Sequence, residues 1–194
     1  MTARLVADDK IVMHLEVDRY LSAPSPAEGE LLRRAPAPVL DVGCGPGRHV
    51  LALAESGRIA LGVDVAPSAV DIAMKRGAPV LLRSVFERVP AAGRWASALL
   101  LDGNFGIGGN PHALLVRLAE LLRADGCVLA EVEAPGTSTR GLNVRIECGD
   151  RITPAFPWAR VGVDGVGEVA ARAGYQLEEI WSAEGRWFAR MKLR

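Results

Sequence analysis

The sequence predicts an α/β fold, a doubly wound parallel sheet with helices on both faces. Three observations carry the prediction. From Val39 to Val132 short apolar runs of strand length alternate with amphipathic runs of helix length, the signature of successive βαβ units. The first such unit turns through Val39-Leu40-Asp41-Val42-Gly43-Cys44-Gly45-Pro46-Gly47-Arg48-His49-Val50, with three glycines at alternate positions between a buried strand and a helix start. The chain then closes in two alternating runs, Gln176 to Ser182 and Arg186 to Met191, about Glu184-Gly185, which read as a terminal β-hairpin.

The elements follow in order. Residues 4 to 17 alternate loosely about Asp8-Asp9 and fit either a hairpin or a short helix ahead of the core. Ser25-Pro26-Ala27-Glu28 is a capping box with proline at the first helical position, and its helix runs to about Arg34 before Pro36 and Pro38 break the chain. The first strand precedes the glycine turn. A helix then runs to about Ser56 and ends at Gly57. The second strand covers about Ile59 to Val63. The next helix starts at Pro67 and stops at Gly77, and the third strand covers about Pro79 to Leu82. The fourth strand is the apolar run Trp95 to Leu101. Asn110 caps a helix with Pro111 at its first position, running to about Arg123, and Asp125-Gly126 turns into the fifth strand, Cys127 to Val132. Residues Asn143 to Ile152 alternate around Gly149-Asp150 as a hairpin laid over the sheet edge. Pro154 to Trp158 reads as a rigid aromatic loop, and a helix over about Val163 to Ala173 stops at Gly174.

At 194 residues the chain is expected to form one domain, 1–194, with an N-terminal extension or cap over 1–35 and the Rossmann-like core over 36–194. Lys plus Arg and Asp plus Glu number 23 each, so no net field attracts nucleic acid or a membrane surface. Lysine stands only at 10, 75 and 192, an arginine bias that fits a GC-rich genome better than a function. No apolar stretch reaches the length of a membrane span and the N-terminus has no signal-peptide core, so a cytoplasmic protein is expected. Cys44, Cys127 and Cys148 are odd in number and far apart; they suggest no metal site and no disulfide framework.

The glycine turn carries the chemistry. Glycine allows positive φ and lets backbone N–H groups approach a ligand. The dinucleotide pattern G-x-G-x-x-G is not met, because Arg48 stands where its third glycine belongs. Asp41 at the end of the strand would repel a pyrophosphate and suits a cationic ligand end. Asp64, 23 residues later at the end of the second strand, is placed to accept hydrogen bonds from ribose hydroxyls. A ribose at one end and a cationic amino acid at the other describe S-adenosylmethionine.

The segment from Val39 to Val70 resembles motif I and the following acidic loop of the class I SAM-dependent methyltransferases. Leu100 to Pro111 resembles a branch of small bacterial enzymes with a glycine-rich loop after the fourth strand. The resemblance extends over most of the chain, from about Tyr20 onward. It implies a sheet of about seven strands in the order 3-2-1-4-5-7-6, with the last strand antiparallel, beneath an extension that roofs the active site. It also implies that Gly43, Gly45 and Gly47 cradle the amino-acid part of the cofactor, with Asp41 near its ammonium group. Asp64 would hold the ribose, and Val65 would pack on the adenine. Ser84 stands where the family usually has an acid for the adenine amino group, leaving the backbone of Val85 or Phe86 to read the ring.

Asp102 ends the fourth strand at the cleft, where it either contacts cofactor and substrate or caps its own loop. A general base is needed only if the acceptor must lose a proton, and the candidates are His14, His49 and His112, with Asp102 beside them. Tyr20, Glu133, Arg145 and Trp158 are further substrate-side groups, Trp158 and Phe156 reading more as hydrophobic packing than as a cation cage. The leading reading is methyl transfer to a small molecule by a monomer or homodimer. The absence of an Asn-Pro-Pro-Tyr tetrad and the neutral charge argue against DNA as the substrate. The alternatives are a SAM-binding protein of this fold that transfers no methyl, as a cyclase or regulator, and an NAD-dependent oxidoreductase.

Overall fold

The protein is described from a computed structural model covering residues 2–7 and 10–194. Among the described residues, twelve strands and six α-helices follow, in the order β1 (Thr2–Ala7), β2 (Lys10–Glu16), α1 (Val17–Leu21), α2 (Pro26–Arg34), β3 (Val39–Val42), α3 (Arg48–Glu55), β4 (Ala60–Asp64), α4 (Pro67–Lys75), β5 (Val80–Leu82) and β6 (Trp95–Leu100). A 3-10 segment (Asn104–Gly109) precedes α5 (Pro111–Leu121). There follow β7 (Leu122–Val132), β8 (Arg140–Cys148), β9 (Arg151–Ile152), β10 (Phe156–Arg160), α6 (Val163–Arg172), β11 (Tyr175–Ala183) and β12 (Arg186–Leu193).

Seven strands form the main sheet in the order β11-β12-β7-β6-β3-β4-β5. The pairs β3–β4, β4–β5, β3–β6 and β6–β7 are parallel, whereas β12 runs antiparallel to both neighbours. This is the expected strand order with its reversed last strand. Glu184 and Gly185 both take positive φ, 52° and 73°, as a two-residue turn of matching twist requires. The middle strands β3 and β6 are buried at every position, because helices cover both faces. Leu40 and Val42 face α5 and α6, where Leu114, Leu118 and Val166 are buried. Val39 faces the other way, against Leu31, Val50, Leu53 and Ala73 from α2, α3 and α4. Asp41 shares the Val39 face by the two-residue period of a strand, and so points toward the helix that follows it.

A second, five-stranded sheet is the main departure from the sequence reading. It runs β10-β8-β1-β2, with β9 paired to β8. The N-terminal alternation is a hairpin, with Leu5 opposite Met13 and Arg4 opposite His14; Asp8 and Asp9, its expected turn, lie outside the described residues. The hairpin around Gly149-Asp150 forms, yet its long arm pairs with β1, with Leu5 opposite Ile146. The expected aromatic loop at Pro154–Trp158 is instead mostly strand, with Pro157 opposite Asn143. Proline is tolerated there because β10 is an edge strand that need not donate a ladder bond on both sides. Leu5, Ala7 and Val144 bury the apolar face of this sheet together with Met13, Ile146, Phe156 and Trp158. No helix among the described residues is long and apolar enough to cross a membrane.

Candidate active site

At the carboxyl end of β3 the chain turns through Gly43, Gly45 and Gly47 with φ of 74°, 52° and 80°. The three glycines are needed for different reasons. A Cβ on Gly43 would stand 2.6 Å from the Asn104 side chain, whose Nδ2 donates to the Gly43 carbonyl at 2.8 Å. A Cβ on Gly47 would meet Ala78 at 2.9 Å. A Cβ on Gly45 would meet no heavy atom within 4 Å, so this glycine faces open space. The Gly45 N–H donates to Asp64 Oδ2 at 2.8 Å, and the Ala66 N–H donates to Asp64 Oδ1 at 2.8 Å. Asp64 therefore ties the turn to the end of β4 and still has a lone pair on each oxygen for a ligand. Cys44 packs where a Gly62 side chain would otherwise sit, and burial pushes its thiol well above the ordinary range.

The turn borders two cavities. One, of about 460 Å³, lies between Asp41, Gly45, Asp64, Tyr20 and Asp102 on one side and Leu5, Met13, Leu15, Ile146, Phe156 and Trp158 on the other. The second, of about 310 Å³, shares Gly43, Asp64 and Asn104 with the first and extends to Val65, Ser84 and Val85. Both volumes suit small-molecule sites, which run from about 300 to 1,000 Å³. The second sheet is thus a roof over the carboxyl ends of β3, β4 and β6. All the residues expected to hold a cofactor line these cavities except Gly47, which shapes the turn from behind. Ser84 Oγ accepts the Phe86 N–H at 3.2 Å, closing its own turn.

Two expected catalytic histidines lie elsewhere. His14 is exposed and alternates with Met13 and Leu15, the residues that face the cavity, so its side chain leaves from the opposite face of β2. His112 is exposed at the start of α5, with Nε2 3.2 Å from the Arg172 carbonyl, and borders a separate depression with Asn110 and Thr139. The 3-10 segment between Asp102 and α5 carries the helix start away from the cleft. Arg145 pairs with Glu147 within the roof at 2.8 Å.

Asp102, at φ 54°, reaches the cleft but is fully engaged. Its Oδ2 lies 2.6 Å from Arg48, and its Oδ1 3.2 Å from Arg19 and 3.3 Å from Arg186. Both of its oxygens are thus already paired with guanidiniums. Glu28 anchors the same cluster. Fully buried, it accepts from Arg48 at 2.7 and 2.8 Å, Arg19 at 2.7 Å, Arg186 at 2.6 Å and the Ser25 N–H at 2.9 Å. Burial alone would push its carboxyl up; His49, the Ser25 N–H and Arg19 instead hold it far below the usual range. Glu131 completes the cluster, bidentate to Arg186 at 2.8 and 2.6 Å and accepting the Asp102 N–H at 2.7 Å.

His49 lies beneath the glycine turn, buried, with Nδ1 3.7 Å from Asp41 and Nε2 3.8 Å from Glu28. Those separations exceed a hydrogen bond, and Asp41 Oδ2 and His49 Nε2 have no hydrogen-bond partner. Burial lowers the imidazole pKa, but the two carboxylates outweigh it and raise it to about 9. His49 is therefore a cation at neutral pH and cannot act as a base. Burial, then Asp102, pushes the Tyr20 phenol up to about 12, so it too keeps its proton. Glu28, His49 and Asp102 offer atoms within 4.8 Å of one another, as metal ligands do, but guanidinium donors already fill both carboxylates.

Sequence reasoning missed most of this cluster. Glu28 was visible only as a helix cap and Arg48 only as a departure from a glycine pattern, while Arg19, Arg186, Glu131 and Asn104 carry no local signal at all.

Residues 39–126 match a family model described as a methyltransferase domain. No curated protein sequence matches the chain. Among solved structures, the chain is similar over its whole length to a SAM-dependent methyltransferase from Bacteroides fragilis in complex with S-adenosyl-L-homocysteine, at 25% identity over 100% of this chain and 88% of that one, TM-score 0.83. A 1,6-didemethyltoxoflavin-N1-methyltransferase from Burkholderia thailandensis aligns at 20% identity over 87% of this chain and 76% of that one, TM-score 0.64. A sugar N-methyltransferase from Streptoalloteichus aligns at 17% identity over 87% of each chain, TM-score 0.66. Residues 39–126 therefore belong to the methyltransferase-domain family, and the chain that carries them has the fold of the class I S-adenosylmethionine-dependent methyltransferases.

Proposed function

We propose that this protein is an S-adenosylmethionine-dependent methyltransferase acting on a small molecule in the cytoplasm. The observation that carries the reading is the junction at Gly45 and Asp64. An open-faced glycine turn and a carboxylate with free lone pairs meet where two roofed cavities join. The residues present fit the cofactor. Gly43 and Gly45 would hold its amino-acid end, with Gly47 setting the turn. Asp41, whose buried Oδ2 has no hydrogen-bond partner, would face the ammonium group. Asp64 would take the ribose, and Val65, Ser84 and Val85 the adenine. When bound, the cofactor supplies an electrophilic methyl group on a sulfonium.

The chain's own contribution is placement and exclusion of water. The apolar roof of Met13, Leu15, Ile146, Phe156 and Trp158 dries the cleft, which strengthens every charge interaction inside it. Asp102, clamped by three arginines, fixes the floor of the cavity. With His49 held as a cation and His14 and His112 outside the cleft, catalysis rests on proximity of an acceptor that reaches the site ready to attack. The apolar roof and zero net charge favour a small acceptor over nucleic acid.

The test is calorimetric titration with S-adenosylmethionine, S-adenosylhomocysteine and NAD, in the wild type and in Asp64→Ala. Micromolar binding of the first two that Asp64→Ala abolishes supports the assignment. NAD binding without a response to S-adenosylmethionine refutes it.

A further inference from the structure

A third cavity, of about 170 Å³, opens beside the cofactor cleft above the carboxyl ends of β6 and β7. It shares Met13 and Trp158 with the 460 Å³ cavity, so those two side chains form the partition between them. Its size is informative: an engineered apolar cavity of about 150 Å³ accepts benzene, so this one takes a single ring. Its walls are Phe105, Val132, Val161 and the indole of Trp158, surfaces suited to a flat apolar body.

Its polar groups are two carboxylates and one guanidinium, Glu131, Glu133 and Arg160. Glu131 is spent on Arg186 and the Asp102 N–H. Glu133 differs. Arg160 uses one lone pair on each of its oxygens, at 3.1 and 2.9 Å, and its side chain remains 39% exposed. One acceptor site on each oxygen stays open to the cavity. Its backbone is fixed by bonds to Val161 and from Val163, at 2.8 and 3.0 Å, so the carboxylate is held before any ligand arrives.

Building on the methyltransferase reading above, we infer that this cavity is the acceptor pocket and that the acceptor is a single-ring amine, its ring against Trp158 and Phe105 and its ammonium or N–H on Glu133. A carboxylate-bearing ring would set an acceptor against the open acceptor sites of Glu133 and be rejected. Met13 suits the partition because an unbranched thioether yields easily, and Gly103 lets it lie close: a Cβ there would stand 3.0 Å from Met13 Cε. The neutral amine is the reacting form, its ammonium having given up its proton to solvent before entry. The neutral nitrogen lone pair then forms the N–C bond as the S–C bond breaks, and the sulfur leaves as a neutral thioether.

The experiment is ligand-observed NMR with benzylamine and, separately, benzoate, with the protein alone and saturated with S-adenosylhomocysteine. Wild type, Glu133→Gln and Arg160→Gln are compared, and S-adenosylhomocysteine affinity and thermal melting are recorded for each. The expected result is millimolar benzylamine binding and no benzoate binding. Glu133→Gln should weaken benzylamine roughly tenfold, a change of about 1.4 kcal/mol. Arg160→Gln, which frees the carboxylate, should strengthen it. Benzoate binding as tight as benzylamine, benzylamine binding indifferent to Glu133→Gln, or no benzylamine binding overturns the inference. Failure of S-adenosylhomocysteine to bind overturns the cofactor assignment instead, and the cofactor-free titration still decides the pocket.

Discussion

Glu28→Gln is the most informative single change in this protein. Glu28 is fully buried and ion-pairs with Arg19, Arg48 and Arg186 at 2.6 to 2.8 Å. Glutamine keeps the shape and the acceptor for the Ser25 N–H, so the helix cap survives and the lost quantity is the charge. Removing one partner of a buried ion pair costs about 3–5 kcal/mol, because the opposite charge stays buried without its counterion. Domains are stable by only about 5–15 kcal/mol, so this is a large share of the total. The control is Asp71→Asn, which breaks an equally short pair, Lys75–Asp71 at 2.6 Å, between side chains that are 74% and 60% exposed. Exposed pairs of this spacing are worth about 0.5 kcal/mol or less. Urea unfolding at pH 7 should therefore separate the two variants by several-fold in free energy at identical distance. Glu28→Leu combined with Arg48→Met should be less damaged than Glu28→Leu alone, since that pair of changes removes both charges. A cost for Glu28→Gln no greater than for Asp71→Asn would refute the claim that burial gives this cluster its strength.

Other consequences are equally direct. His49, raised from 6.5 to about 9, stabilises the fold fully below pH 6.5, and that contribution fades as pH climbs through 9. It amounts to about 3 kcal/mol, so urea midpoints at pH 6 and pH 9.5 should diverge in wild type and converge in His49→Gln; parallel curves would refute it. Gly45→Ala should cost only about 1–2 kcal/mol of stability, for its positive φ, yet eliminate S-adenosylhomocysteine binding in calorimetry. Gly43→Ala should lose far more stability in the same melts, because its Cβ collides with Asn104. Asn104→Ala, which frees the Gly43 carbonyl, should lower stability by about 1 kcal/mol and weaken S-adenosylhomocysteine several-fold.

The main sheet was legible because its signals are local. The middle strands β3 and β6 are apolar runs close to glycine or proline, and the Asn110 and Ser25 caps form as read, the latter with its reciprocal Glu28 bond. The roof was not legible as a sheet, since pairing Ala3–Val6 with Arg145–Cys148 joins segments some 140 residues apart and leaves no local trace. Proline misled at 154–158, where an edge position removes the penalty that the residue usually carries. The place of His14 was readable in principle: it alternates with Met13 and Leu15, so an apolar face toward the cleft sends the imidazole outward. His112 was not readable, because the 3-10 segment that displaces it is encoded by glycines that also fit a mobile loop.

The buried cluster also explains why acceptor choice falls to the third cavity. Arg19, Arg48, Arg186 and protonated His49 stand against Glu28, Asp41, Asp102 and Glu131, four charges of each sign drawn from α1, the cap, the glycine-turn helix, three strand ends and the terminal hairpin. A set balanced in this way has no charge left with which to select a ligand; it fixes the relative positions of elements that are distant in the chain. Asp41 Oδ2 has no hydrogen-bond partner, yet it lies inside the set, 3.7 Å from His49 Nδ1. Away from the cluster, Glu133 keeps open acceptor sites beside an aromatic wall. Fixed geometry and ligand discrimination therefore sit on different carboxylates. Glu28→Gln should accordingly lower stability before it changes the preference for benzylamine over benzoate, whereas Glu133→Gln should change the preference and leave stability nearly intact.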